Sequence, residues 1–263
     1  MKIVKLITLL VCLIGLFGTV SAQDTPQYEA KQYIVKGDTL NYRILFPKDY
    51  DSTKKYPFIL FLHGAGERGN DNEKQLMHGS TLFTQPENYD KYRAIVVFPQ
   101  CPEGSFWSNI DFTKNEDGTR ELNFPSKNLL NTPGKMAMDV VKNLVDEKKV
   151  DESSMYVMGL SMGGFGTLAT IGTYPKTFAA AIPICGGGNT NVAKKYAKNT
   201  ATWLFHGAKD NVVLPENSRT MYKALQDLNA EVKYTEYPEA NHNSWDPAFA
   251  ESELLPWLFS HKR

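Results

Sequence analysis

The sequence predicts an α/β fold: a mainly parallel central sheet, opened by an N-terminal antiparallel hairpin and covered by helices on both faces. Three observations carry this. First, residues 58–62, 94–98, 155–158, 179–184 and 202–205 are short apolar runs that are continuous rather than alternating. Strands of a parallel sheet, buried on both faces, read that way. Second, helical patterns fall between these runs, and alternation of strand and helix is the order of a parallel sheet with crossover helices. Third, residues 29–36 and 39–46 alternate in polarity about Lys36-Gly37-Asp38, and Gly37-Asp38 is a turn signal.

In chain order, Met1, Lys2 and Lys5 precede an apolar stretch, Leu6 to Val20, that ends in Ser21-Ala22-Gln23. A positive start, an apolar centre and small residues at the end form the pattern of a signal peptide, with cleavage expected after Ala22. Thr8, Gly15 and Gly18 interrupt the stretch and argue against a retained membrane anchor. Cys12 has no small residue just before it, so lipid attachment is not expected. Residues 23–263 then suit one catalytic domain. The hairpin and the first two apolar runs follow. Residues 99–133, rich in Gly, Pro, Asn and charge, form the poorly periodic stretch, and loops of that length are usually functional or disordered. Residues 134–148 place Met138, Val141, Leu144 and Val145 on one helical face and Lys142, Asp146, Glu147 and Lys148 on the other. Residues 162–174, 215–228 and 248–259 read as further helices, and 232–237 as an alternating strand.

The composition is that of a globular protein, with 42% hydrophobic residues, and 29 basic side chains balance 29 acidic ones. No basic stripe suited to phosphate backbones or anionic lipid is present, which sets nucleic acid aside as a partner. Cys101 and Cys185 each stand just beyond an apolar run. An exported chain permits them to pair, while buried free thiols are the plainer reading. No His-x-x-x-His or Cys-x-x-Cys pair occurs, so neither a metal site nor a cofactor is expected.

Gly159-Leu160-Ser161-Met162-Gly163 fits the G-x-S-x-G nucleophile elbow. Its context strengthens the match, because it follows one apolar run and opens a helical stretch. Such a turn holds the serine in a strained conformation, and glycines two residues to either side remove side chains that would collide. A serine hydroxyl is a weak nucleophile, so an imidazole must take its proton and a carboxylate must fix that imidazole's tautomer. In sheets carrying this elbow the chain order is Ser, acid, His. Asp210 follows the 202–205 run through His206-Gly207-Ala208-Lys209, and His242 follows the 232–237 run. Both therefore stand at strand ends, where open parallel sheets build their sites. His206 reads as a packing residue, His78 and His261 have no strand before them, and Asp227 and Glu236 fall inside elements. The oxyanion of an acyl-transfer intermediate needs two donors. The N–H of Met162 is one candidate, and Gly64 or Ala65, in the loop His63-Gly64-Ala65-Gly66-Glu67-Arg68-Gly69, supplies the other. An ordinary Gly-rich turn is the alternative for that loop.

With these residues in place, the chain resembles the α/β-hydrolase superfamily. Within it the chain is similar to secreted esterases related to polyhydroxybutyrate depolymerases, feruloyl esterases and dienelactone hydrolase-like predicted peptidases. The segments carrying the resemblance are 62–69, Pro99-Gln100-Cys101-Pro102, 159–164, 206–210 and His242-Asn243-Ser244-Trp245. Ser161 departs from dienelactone hydrolases themselves, which carry Cys there. The resemblance implies ester hydrolysis through Ser161, His242 and Asp210 without selecting a substrate. Trp107, near the start of the 99–133 loop, and Trp245, three residues after His242, are candidates to line the cleft; core packing is the alternative for both. The resulting expectation is a secreted or periplasmic serine esterase acting on acyl or aryl esters of carbohydrates. A peptidase, an acyltransferase and a decayed binding surface are the alternatives on the same fold.

Overall fold

The computed structural model describes residues 26–114 and 120–263; the expected signal segment lies outside them. The strands are β1 (Glu29–Val35), β2 (Asp38–Leu45), β3 (Tyr56–Leu62), β4 (Ile95–Pro99), β5 (Asp111–Lys114), β6 (Arg120–Asn123), β7 (Val150–Leu160), β8 (Ala180–Ile184), β9 (Ala201–Gly207) and β10 (Val232–Tyr237). The helices are α1 (Ser80–Thr84), α2 (Pro86–Lys91), α3 (Thr132–Asp146), α4 (Met162–Thr173), α5 (Thr190–Ala193), α6 (Glu216–Asp227), α7 (Trp245–Phe249) and α8 (Leu254–Ser260).

Eight strands form one sheet in the order β1-β2-β4-β3-β7-β8-β9-β10. β2 runs antiparallel to β1 and β4, and every neighbouring pair from β4 to β10 is parallel. Successive strand side chains point to opposite faces. Phe58, Leu60, Val97, Val157 and Leu204 thus pack with Met136, Val140 and Leu144 of α3, Leu168 and Ile171 of α4 and Leu225 of α6. Ile59, Phe61, Val96, Tyr156, Ile182 and Phe205 pack on the other face with Leu82 of α1, Ala248 of α7 and Leu254 and Leu258 of α8. Continuous apolar sequence is what two covered faces require, so the predicted α/β-hydrolase sheet is the sheet observed. The hairpin β1–β2 closes through Lys36 and Gly37, both at positive φ, with Val35 paired to Asp38.

The short helices α1, α2 and α5 were not expected from the sequence, and two further regions differ from the expectation. The helix expected over 248–259 is two, α7 and α8. Pro256 lacks an N–H and its ring would meet the carbonyl of Ser252, so a helix can begin just before it but cannot run through it. The 99–133 excursion is not structureless: β5 and β6 pair within it, and its base is closed by a bridge between Ser108 and Leu130. α3 starts at Thr132 because the Asn131 side chain accepts from the Thr132 N–H and Pro133 suits the first turn. Cys101 and Cys185 are both buried and free.

Candidate active site

The loops after β3, β7, β9 and β10 meet at the C-terminal edge of the sheet. Between β7 and α4 the chain turns at Ser161, whose φ of 53° and ψ of −117° lie in a region that L-residues seldom occupy. Two fixed neighbours impose that turn. The Ser161 N–H donates to Ile184 O at 2.9 Å, and a Cβ on Gly163 would stand 1.8 Å from Leu62 O. The helix can begin so close to β3 only because position 163 has no side chain.

Ser161 Oγ lies 2.9 Å from His242 Nε2, and His242 Nδ1 lies 2.7 Å from Asp210 Oδ2. An ionised carboxylate can only accept, so Nδ1 carries the proton and the Nε2 lone pair faces the serine hydroxyl. The loops carrying acid and imidazole approach closely: the Lys209 N–H donates to Ala240 O at 3.0 Å, and a Cβ on Gly207 would stand 2.2 Å from Asn241 O. Asp210 is buried, and burial alone would push its carboxyl up. Hydrogen bonds from His206, His242 and the Val213 and Val212 N–H groups outweigh burial and hold it well below the ordinary carboxylate range. Among the described residues one trio of possible metal-ligand atoms comes together, on Cys185, Asp210 and His242 within 4.8 Å. His242 Nδ1 is engaged with Asp210 there, and burial pushes the Cys185 thiol up to about 12, which keeps it protonated at neutral pH.

For the oxyanion, the Met162 N–H heads α4 and the Ala65 N–H heads a short 3-10 turn, Ala65–Glu67. The first N–H groups of a helical turn have no partner within it. Met162 and Ala65 both line the cleft that contains Ser161, whereas a Cβ on Gly64 would face Leu160 and Glu67. Of the two loop candidates, Ala65 is the one that lines the cleft.

Trp107 requires a correction. It is wholly buried, donates its indole N–H to His63 O at 3.0 Å and packs on Gly166 of α4. It therefore supports the loop after β3 and does not line the cleft. The aromatic wall belongs to its neighbour Phe106 with Phe112 and Phe165; Leu122, Val212, Val213 and Leu214 complete it, around about 270 Å³ of space. Trp245 packs edge-on against His242, with ring centroids 5.5 Å apart, and also meets His78. Sequence reasoning missed Phe112 and Leu122 because they sit in the hairpin read as loop. It also missed the contact of His206 Nε2 with Asp210 Oδ2 at 3.3 Å, although a spacing of four residues carried the signal.

A parallel sheet with helices on both faces and a serine on a strained strand-to-helix turn define a serine hydrolase of the α/β-hydrolase type. The chain belongs to the phospholipase/carboxylesterase family, whose model matches residues 50–252. It is similar to carboxylesterase SOBER1 of Arabidopsis thaliana, 25% identical over 198 residues that cover 71% of this chain and 83% of SOBER1. A thermostable esterase of known structure superposes with a TM-score of 0.80 at 36% identity, over 90% of this chain and 63% of that one. An uncharacterized secreted protein of Arthroderma benhamiae is 23% identical over 90% of this chain, which spans 27% of that protein's length.

Proposed function

We propose that the chain is an exported esterase that cleaves acyl or aryl esters of carbohydrates through a Ser161-His242-Asp210 triad and an acyl-enzyme. The observation that carries the reading is the continuous run of contacts from Ser161 Oγ to His242 at 2.9 Å and on to Asp210 at 2.7 Å. His242 Nε2 takes the Ser161 proton as Oγ attacks the ester carbonyl. The N–H groups of Met162 and Ala65 receive the oxyanion. His242 then returns the proton to the departing alcohol, leaving the acyl group on Ser161. Water, deprotonated by the same imidazole, releases the acid and restores the serine.

Two features favour the substrate class. The wall of Phe106, Phe112, Phe165 and Leu122 suits an acyl chain or aryl ring. A polar groove bearing Asn123, Asn191 and Thr220 shares Leu122, Leu214 and Asn217 with that cleft and suits hydroxyl-rich groups. The signal-like start of the chain, together with the secreted relative, favours action outside the cytoplasm. No helix among the described residues is long and apolar enough to cross a membrane. The test is a substrate panel of p-nitrophenyl acetate, methyl ferulate, acetylated xylan and a peptide amide, with product analysis in the presence of a sugar acceptor. Faster turnover of a carbohydrate ester than of the amide is expected. Preferred amide cleavage, or acyl transfer to the sugar in place of hydrolysis, overturns the substrate reading.

A further inference from the structure

His206 is fully buried at the end of β9, four residues before Asp210, and every polar atom around its ring is accounted for. Nε2 lies 2.8 Å from Val213 O and 3.3 Å from Asp210 Oδ2. Nδ1 lies 2.7 Å from Ser218 Oγ, which itself stands 3.1 Å from Gly186 O. A backbone carbonyl and a carboxylate only accept, so Nε2 must carry a proton whichever way the Ser218 hydroxyl turns. That N–H is directed to Val213 O and stands 3.3 Å from Asp210 Oδ2.

We infer that His206 is a positioning residue for the reaction: a second imidazole whose N–H, fixed on Val213 O, faces the same carboxylate oxygen that His242 holds and sets where that oxygen stands. Asp210 then has both oxygens committed. Oδ1 accepts from the Val212 and Val213 N–H groups at 2.9 and 3.0 Å, and Oδ2 accepts from His242 and is faced by the His206 N–H at 3.3 Å. The carboxylate cannot rotate without breaking bonds on both sides. Ser218, on α6, anchors the far side of the ring, and Gly186, just after β8, anchors Ser218. The His242 Nδ1 contact is thereby referred to the sheet rather than to a surface loop. Val213 also walls the cleft, so one N–H orders the acid and the substrate wall together. The inference rests on reading Asp210 as the acid of the triad.

Its test compares two amides that replace different ring nitrogens. The amide nitrogen of Gln at position 206 can stand where Nε2 stands, donate to Val213 O and face Asp210 Oδ2; that of Asn reaches only the Nδ1 side, toward Ser218. Purified His206→Gln, His206→Asn and Asp210→Asn are assayed on p-nitrophenyl acetate, with folding checked by circular dichroism. His206→Asn is expected to lose between about tenfold and a hundredfold in kcat, the effect of one hydrogen bond to a charged group, with KM within about twofold. His206→Gln recovers most of that loss. Equal losses in the two variants, a loss confined to KM, or undiminished kcat in His206→Asn overturns the positioning role. If Asp210→Asn keeps wild-type kcat, it is the triad reading that fails.

Discussion

The indole N–H of Trp107 donates to the carbonyl oxygen of His63 at 3.0 Å, so a residue from the chain's longest excursion holds the loop that presents Ala65 to the cleft. The His63 ring is tied down as well. Its Nδ1 lies 2.6 Å from Gly64 O and its Nε2 accepts from the Cys101 N–H at 2.9 Å.

Trp107 acts through the core. Truncating a buried indole leaves a cavity, and Trp107→Ala is expected to cost about 3–5 kcal/mol of stability. Activity per folded molecule should fall by the same factor on p-nitrophenyl acetate and on methyl ferulate. A denaturant titration with both assays checks this, and a loss confined to the aryl ester would return Trp107 to the cleft.

Under the proposed function, Phe112 is the residue expected to contact an aryl group. It is 47% exposed at the cleft and meets Phe106 with ring centroids 5.9 Å apart. Phe112→Ala should lower kcat/KM for methyl ferulate by about three- to tenfold, the worth of one aromatic contact, and leave p-nitrophenyl acetate nearly unchanged. Equal effects on both esters would remove Phe112 from substrate binding.

Burial lowers the His63 imidazole from an ordinary 6.5 to about 4, only partly opposed by the Gly64 carbonyl. The folded-state value is depressed, so the contribution to stability is complete above 6.5. It declines as pH falls toward 4, because the unfolded chain takes up a proton that the folded one does not. The loss amounts to at most about 3 kcal/mol. Urea unfolding of wild type and His63→Gln at about pH 7.5 and about pH 5 isolates it; an identical pH slope in both proteins contradicts the assignment.

Gly163 and Gly66 make a matched pair. A Cβ at 163 would meet Leu62 O at 1.8 Å, while one at 66 meets nothing within 4 Å. Gly163→Ala should lower Tm by at least about 5 °C and Gly66→Ala by much less. Similar shifts would mean that the elbow tolerates side chains.

Much of this was legible in the sequence because the relevant physics is local. The elbow needs its glycines near Ser161, and strand-end positions single out Asp210 and His242. Continuous apolar runs announced a sheet covered on both faces. What could not be read was direction. Phe106 and Trp107 are adjacent aromatics, and nothing in their order along the chain says that the first faces the cleft and the second the core. β5 and β6, four residues each, are too short to show a period. Pro256, inside the helix expected over 248–259, signals the break between α7 and α8 and stands in the first turn of the second. His206 passed as packing because its partners Val213 and Ser218 lie beyond β9, on the following connection and on α6.

The most direct measurement is p-nitrophenyl acetate hydrolysis by purified Ser161→Ala beside wild type. Removing the attacking oxygen leaves only binding and oxyanion stabilisation, so kcat should fall by at least about 10⁴-fold with Tm unchanged. Near wild-type turnover in the folded variant would contradict the account, because the bond-forming oxygen would then lie elsewhere.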